Sequence, residues 1–406
     1  MKLRSNAAFW TKVLPNLSRC FAACLLGPLL SPCLSTGAES TPPPLANDSH
    51  SFKLEIQRSI DRGLDWFKVH QNAEGWWSSP DHPALTALPV LAFQGDPRER
   101  FTKDNAPWLT HALAYLASNQ KPDGGLHRGQ LMNYNTALGM LALLGAGDAS
   151  HEDLILKARA YLIRLQMDFG EPGFGDHVLD GGLGYGSSYP HSDMANTLQA
   201  LEAIYYSRHV ARDTGNSTLQ DLDWNAALQF IQNCQNLSSH NKQSWVSDDP
   251  DQKGGFVYFP GQSKAGAVTN DVTQHVALRS YGSISYAGLL SYIYADLQPD
   301  DPRVEAVLEW LKSHYTLEEN PGMGPQGLFY YYHTMAKALA KSGQESLRLA
   351  DGRVVPWRHE LAQRLINLQK ADGSWINDAH GRWWEKDPVL VTAYAVLALE
   401  HILHGM

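Results

Sequence analysis

A repeated unit of two helices joined by a glycine-containing turn constrains this fold more than any other sequence feature. Related turns begin at Gln71 (Gln-Asn-Ala-Glu-Gly-Trp), Gln120 (Gln-Lys-Pro-Asp-Gly-Gly) and Gln369 (Gln-Lys-Ala-Asp-Gly-Ser-Trp), and the regular spacing of Gly75 and Gly124 extends to Gly173. The helix before each turn is amphipathic, whereas the helix after it is apolar nearly all round. Six such units predict an inner ring of buried helices inside an outer ring of half-exposed ones.

The first residues of the chain have the pattern of a targeting segment. Residues 1–38 contain four basic residues and no acidic one, and the apolar run from Cys20 to Leu34 is interrupted by two prolines. This apolar run is too short and too interrupted for a transmembrane helix. We therefore predict a signal peptide at 1–38 and an exported mature chain. An uncleaved anchor and a lipid on Cys33 are the alternatives. Residues 39–51 are predicted to be a linker and residues 52–406 the helical domain.

The charge and the cysteine content exclude some partners and some means of stabilisation. The 406 residues carry a net charge of -9, and removal of the basic leader makes the body more acidic still. A nucleic-acid partner is therefore not expected, and no transmembrane span is expected in the mature chain. The only cysteine outside the leader is Cys234, so the body cannot be held together by disulfides.

Two motifs carry a resemblance to known families. The turn Gln369–Trp375 resembles the QW motif of squalene-hopene and oxidosqualene cyclases, and the run Tyr331–Thr334 resembles a segment of protein prenyltransferase β subunits. Both families have the all-α (α/α)6 toroid, so the resemblance implies six helical hairpins in one closed domain. It also implies a central cavity that acts on an isoprenoid.

The chain departs from both families in the residues that carry their chemistry. The class II cyclases protonate their substrate with an Asp-x-Asp-Asp motif, and the nearest string here, Asp248–Asp251, has another order and lies in a polar loop. The zinc site of the prenyltransferases needs a cysteine that is missing beside His333. We therefore expect no metal ion and no cofactor.

The remaining candidates are polar and aromatic residues near the starts of the predicted inner helices, because those ends ring one opening of a toroid. Asp193 and His333 are the candidate catalytic pair, in which the carboxylate would raise the pKa of the imidazole and hold it ready as an acid. Alternatively, Asp193 caps its helix and His333 is a hydrogen-bonded core histidine. The candidate ligand-binding residues are Tyr134, Asn196, Tyr286, Tyr330 and Tyr331.

Three functions are compatible with these features. The first is a cyclase-like or prenyltransferase-like protein that acts on or binds an isoprenoid or another apolar molecule. The second is a non-catalytic exported protein that binds a ligand or a protein partner. The third is a polysaccharide lyase or hydrolase, which would need tryptophans and paired carboxylates at the opening. The candidates at the opening include several tyrosines and no tryptophan, which favours an apolar ligand over a glycan. The oligomeric state stays open.

Overall fold

The computed structural model describes residues 46–102, 105–186, 191–213 and 220–406, so the predicted signal peptide lies outside the described residues. The first helix begins at Ala46, within the segment predicted as a linker. Twelve α-helices occupy the described part of the chain: α1 (Ala46–His70), α2 (Ala84–Gln94), α3 (Pro107–Ser118), α4 (Met132–Gly145), α5 (Glu152–Arg164), α6 (Met194–Asp213), α7 (Trp224–Asn233), α8 (Gly282–Tyr294), α9 (Pro302–Ser313), α10 (Leu328–Lys341), α11 (Trp357–Leu368) and α12 (Pro388–His404).

These helices form two concentric rings, which confirms the predicted all-α (α/α)6 toroid. The even-numbered helices form the inner ring, in which each packs against the next and α12 packs against α2 to close the circle. Their residues are almost all buried, as in α2, where every residue is buried. The odd-numbered helices bury one face only, as in α7. The inner helices are therefore buried on nearly all sides and the outer helices on one side, as the two rings require.

The glutamine of the repeated turn joins its own hairpin to the next one. The Gln369 side-chain amide donates to the carbonyl of Gly373 in its own turn (2.9 Å) and to the carbonyl of Ser59 in α1 (3.0 Å). Gln71 makes the same two contacts, with Gly75 and with Trp108 of the following hairpin. Because Ser59 belongs to the first hairpin and Gln369 to the last, this motif also closes the ring.

The glycine of the turn is required by a close approach to the next outer helix. Gly373 has a φ of +98°, and a Cβ atom there would lie 2.6 Å from the carbonyl oxygen of Arg62. In the third unit this position belongs to Gly181, where a Cβ would lie 2.0 Å from the carbonyl oxygen of Ala226. The spacing-based choice of Gly173 was wrong, because an insertion between Gln166 and Gly181 shifts the register, and Gly173 has open space around it.

The residue after the turn is anchored by a hydroxyl of the inner helix in the first and last hairpins. The Trp375 backbone N–H donates to Thr392 Oγ1 (3.0 Å), and its indole N–H donates to the carbonyl of Leu365 (2.8 Å). Trp77 repeats this arrangement in the first hairpin, with Thr86 and Phe67. Both tryptophans are fully buried between the rings.

The connections from outer to inner helices all end on one side of the toroid, at the N-termini of the inner helices. We call this side the mouth. The longest connection carries the antiparallel pair β1 (Ala267–Thr269) and β2 (Val276–Leu278), and a second pair, β3 (Leu347–Arg348) and β4 (Val354–Val355), lies between α10 and α11. Within the described ranges, no helix combines the length and the apolar character needed to cross a bilayer.

Candidate functional site

A cavity of about 310 Å³ lies at the mouth, where the inner helices begin. Every inner helix contributes to its wall, and three long connections complete the rim. Most of the lining is aromatic or aliphatic, and the aromatic residues are Tyr134, Tyr185, Tyr258, Tyr281, Tyr330, Trp383, Trp384 and Tyr394. The polar lining residues are His82, Asn135, Asn196, Gln199, Lys264, Ser283 and Glu385. We refer to this space as the mouth cavity.

Hydrogen bonds between tyrosine hydroxyls fix two parts of the wall. The hydroxyls of Tyr134 and Tyr394 lie 2.9 Å apart, and those of Tyr185 and Tyr258 lie 3.0 Å apart. Burial raises the pKa of Tyr134 to about 12. The Tyr134 hydroxyl therefore stays neutral at physiological pH, and the four rings line the cavity.

The rim is formed in part by two tryptophans in the connection before α12. Trp383 and Trp384 have φ values of 56° and 64°, a left-handed conformation that bulky residues seldom adopt. They are 42% and 45% exposed. The rings of Trp384 and His82 pack edge to face with centroids 4.4 Å apart, and Gly327 leaves room for Trp383, because a Cβ at residue 327 would lie 2.9 Å from the indole.

Glu385 is a buried carboxyl group in the wall of the mouth cavity. One oxygen accepts the backbone N–H groups of Phe329 and Tyr330 at the start of α10 (both 2.9 Å), and the other accepts the Asn377 side-chain amide (2.6 Å). Burial raises the pKa of Glu385 to about 7, although these donors oppose the rise. A carboxyl with such a pKa is partly protonated at neutral pH and can give or take a proton there.

Asp193 lies behind the cavity wall and caps α6. Its side chain accepts the backbone N–H of Asn196 (2.9 Å) and the Asn196 side-chain amide (2.8 Å). Burial raises the pKa of Asp193 to about 6, and the bonds from Asn196 lower it. Asp193 therefore fixes the orientation of Asn196, which does line the cavity.

His333 lies deeper along the axis and does not pair with Asp193. It lines a second space of about 40 Å³, which we call the axial pocket, together with Glu202, Lys337 and His401. Burial and then the charge of Lys337 lower the pKa of His333 well below its ordinary value. The predicted pairing was wrong: His333 is the sixth residue of α10, roughly 8 Å along the helix from its start, whereas Asp193 precedes α6. In the described part of the chain, no three His, Cys, Asp or Glu side chains are grouped as metal ligands.

Three of the five predicted ligand-binding residues line the mouth cavity, namely Tyr134, Asn196 and Tyr330. Tyr286 and Tyr331 do not line it, and this part of the prediction is corrected. They are fully buried and pack against each other with ring centroids 5.7 Å apart, and the Tyr331 hydroxyl donates to the carbonyl of Thr316. Successive residues of a helix point about 100° apart, so Tyr330 and Tyr331 cannot both face the axis.

Sequence reasoning missed the parts of the site that come from long connections. Trp383, Trp384 and Glu385 are contiguous, and Lys264 lies in the connection between α7 and α8. The signal that could have located the first three is two adjacent tryptophans and an acid immediately before the start of an inner helix. Their presence also removes the earlier argument that the opening lacks tryptophan.

Comparison with known sequences gives one partial match. No protein-family model matches the chain. Over 72 residues it is 39% identical to drimenyl diphosphate synthase of Streptomyces showdoensis. This match covers 17% of the chain and 13% of that enzyme, so the chain spans only a small part of the length of this curated relative.

Comparison with solved structures concerns the fold. An α-1,6-mannanase of Salegentibacter, an inactive variant bound to mannotriose, matches 88% of the chain and 99% of its own length with a TM-score of 0.50 and 11% identity. The type II terpene cyclase MstE of Scytonema matches 88% of the chain and 99% of its own length, with a TM-score of 0.48 and 13% identity. At such low identity the mannanase likeness bears on architecture alone, and it agrees with the assignment of the chain as an α/α toroid.

Proposed function

We propose that the chain binds an apolar small molecule of the isoprenoid class in the mouth cavity. The observation that carries this proposal is the cavity itself, a space of about 310 Å³ walled by tyrosines, tryptophans and aliphatic residues and bounded on the inside by the Tyr134–Tyr394 pair. Its volume lies within the range of roughly 300–1,000 Å³ typical of small-molecule sites. Aromatic rings contribute large apolar contact areas to such a ligand.

The partial sequence match supports an isoprenoid among the possible apolar ligands. Drimenyl diphosphate synthase, which is 39% identical to the chain over 72 residues, is named for the synthesis of an isoprenoid. The motifs that resemble cyclases and prenyltransferases point to the same class of ligand. The match is short, so this support concerns the ligand class and not the reaction.

A glycan is the second candidate, and the exposed tryptophans favour it. Trp383 and Trp384 at the rim offer flat surfaces on which a sugar ring can stack. Glycoside hydrolysis normally uses two carboxyl groups across the scissile bond. Among the described residues that line the mouth cavity, Glu385 is the single carboxyl group. The geometry therefore favours the apolar ligand.

Titration calorimetry with farnesol and with mannotriose tests the proposal. We expect farnesol to bind and mannotriose not to bind. Replacing Ala195, which lines the cavity, by Phe should abolish farnesol binding by filling the space, whereas Ala73→Phe at an exposed position of the first turn should leave it intact. Binding of mannotriose alone, or farnesol binding that survives Ala195→Phe, would contradict it.

Catalysis and export remain part of the proposal as predictions. Incubation with farnesyl diphosphate and product analysis would reveal turnover, and Asp193→Asn and His333→Ala would show whether either residue takes part. N-terminal sequencing of the mature protein tests export, because cleavage of the leader predicts a first residue near Glu39. An intact Met1 on a cytoplasmic protein would contradict it.

A further inference from the structure

Two carboxamide side chains of α6 line the mouth cavity one turn apart. Asn196 and Gln199 both belong to its wall, and they are only 3% and 7% exposed. Residues three positions apart lie on the same face of a helix, with Cβ atoms roughly 5–6 Å apart. Because α6 begins at the mouth, Gln199 lies about 4.5 Å deeper than Asn196. We call these two residues the amide pair.

The orientation of the Asn196 amide is set by Asp193, behind the cavity wall. The pKa of Asp193 is about 6, so this group is a carboxylate at neutral pH and can only accept hydrogen bonds. The Asn196 amide nitrogen donates to it (2.8 Å), which leaves the side-chain oxygen Oδ1 for the cavity. No donor among the described residues is bonded to this oxygen. Asp193 is therefore a positioning residue for an acceptor in the cavity wall.

Gln199 has no hydrogen-bond partner in the fold. Its side chain is buried but makes no hydrogen bond to another described residue. It lies close enough to the Tyr330 hydroxyl to oppose the rise of the Tyr330 pKa, although that hydroxyl is itself without a hydrogen bond. A carboxamide has two N–H donors and one acceptor oxygen. Even a bond to Tyr330 would therefore leave Gln199 a donor for the cavity.

Other polar groups of the wall are already bonded within the protein. Asn135 accepts a backbone N–H (2.9 Å) and donates to a backbone carbonyl (2.7 Å). The oxygens of Glu385 accept three N–H groups, and the hydroxyls of Tyr134 and Tyr394 bond to each other. A buried polar group without a partner costs free energy. The amide pair thus requires a polar partner inside the cavity.

We propose that the ligand of the mouth cavity is an isoprenoid alcohol whose hydroxyl binds to the amide pair. The hydroxyl donates to Asn196 Oδ1 and accepts from Gln199 Nε2, because a hydroxyl is both a donor and an acceptor. The hydrocarbon part of the ligand then extends from the amide pair towards the rim. This inference rests on the proposed function and specifies its ligand class.

The chemistry of the amide pair disfavours two other kinds of ligand end. A carboxylate has only acceptors and would meet a further acceptor at Asn196 Oδ1. A plain hydrocarbon end would leave both amides without a partner. A hydroxyl satisfies both amides at once.

The test compares farnesol with farnesyl methyl ether by titration calorimetry on the full chain. The ether keeps the oxygen but lacks the O–H donor, so it can accept from Gln199 but cannot donate to Asn196. We expect farnesol to bind about tenfold more tightly, since one buried hydrogen bond has roughly that effect. Gln199→Met should weaken both molecules about tenfold, and it leaves no other bonded group without its partner. Gln229→Met, at an exposed position of α7, is the control and should leave both affinities unchanged.

A second variant tests the acceptor. Asn196→Leu alone would deprive Asp193 of its amide donor, so Asp193→Ser/Asn196→Leu is the variant of choice, because serine still caps the start of α6. It should bind farnesol and the ether with equal affinity. A preference for farnesol that survives in this variant would come from the bulk of the ether methyl group and would overturn the inference.

The outcomes separate the two proposals. If farnesol binds no more tightly than the ether and Gln199→Met changes neither affinity, the inference is wrong and the proposed function stands. If Lys264→Met weakens both molecules and Gln199→Met does not, the oxygen binds at the rim and the inference is again wrong. If neither molecule binds to the unchanged protein, both proposals fail.

Discussion

The hydroxyls of Tyr134 and Tyr394 lie 2.9 Å apart at the boundary between two spaces of different chemistry. Above the pair is the aromatic mouth cavity, and below it is the axial pocket with its lysine and imidazoles. Tyr134 comes from α4 and Tyr394 from α12, on opposite sides of α2 in the inner ring. The position of this contact sets how deeply a ligand can reach while the two hydroxyls stay bonded.

We predict that these two hydroxyls act as a unit in stability. Tyr134→Phe or Tyr394→Phe should each lower the free energy of unfolding by about 1 kcal/mol, because each leaves one buried hydroxyl without its partner. The double variant should lose less than the sum of the single losses, since no unpaired hydroxyl remains. Urea denaturation measures all three. Strictly additive losses would show that the two hydroxyls do not interact.

A pair of glycines separates backbone strain from steric contact in the turns. Gly373 and Gly343 both have positive φ, but a Cβ at Gly373 would lie 2.6 Å from the carbonyl oxygen of Arg62, whereas Gly343 has nothing within 4 Å. Gly343→Ala should cost roughly 1–2 kcal/mol for the left-handed conformation alone. Gly373→Ala should cost a further ~1–3 kcal/mol because α1 must move. Equal losses in urea denaturation would show that the approach to α1 is not tight.

The fold could be predicted because its information is local and repeated. Gln369, Gly373 and Trp375 each make a contact that recurs in the first hairpin, at Gln71, Gly75 and Trp77. The third unit shows the limit of this reasoning. Its insertion displaces the structural glycine to Gly181, and regular spacing cannot reveal an insertion.

The candidate site could be predicted only where it lies on helices. Tyr134 and Tyr330 are the third residues of their helices, so their places at the mouth follow from the topology. The depth of His333 follows from its position in α10, but its neighbours Glu202 and His401 lie far along other helices. Trp383, Trp384 and Glu385 belong to a connection whose path is set by tertiary contacts with Gly327 and the start of α10.

Glu385 should make stability depend on pH in a defined window. Its pKa is raised from 4.5 to about 7 in the folded chain, so the folded state holds this proton more tightly than the unfolded state. As pH rises from 4.5 to about 7, the unfolded state ionises first, and the free energy of unfolding should fall by about 3 kcal/mol. Above this window the contribution is constant.

Glu385→Gln removes the titrating group and should remove this part of the pH dependence. Urea denaturation of Glu385→Gln and of the unchanged protein, below and above this pH window, measures the effect. The difference between their free energies of unfolding should change with pH. Glu305→Gln, at an exposed position on α9, serves as the control and should keep the slope of the unchanged protein. If Glu385→Gln kept the full slope of the unchanged protein, the prediction would be wrong, because Asp193, whose pKa is raised to about 6, accounts for only a part of it.

Two tryptophans should separate stability from binding. Trp375 is fully buried and hydrogen-bonded to Leu365, so Trp375→Ala should lower the free energy of unfolding by roughly 3–5 kcal/mol.

Trp383 is 42% exposed and has a φ of 56°, which glycine adopts without strain. Trp383→Gly should therefore change the free energy of unfolding by less than about 1 kcal/mol. It should still weaken farnesol binding about tenfold, because an aromatic wall of the cavity is lost. Urea denaturation and calorimetry on the same preparations measure both quantities. An unchanged farnesol affinity in Trp383→Gly would remove this ring from the binding site, and a loss of stability as large as that of Trp375→Ala would show that it is part of the core.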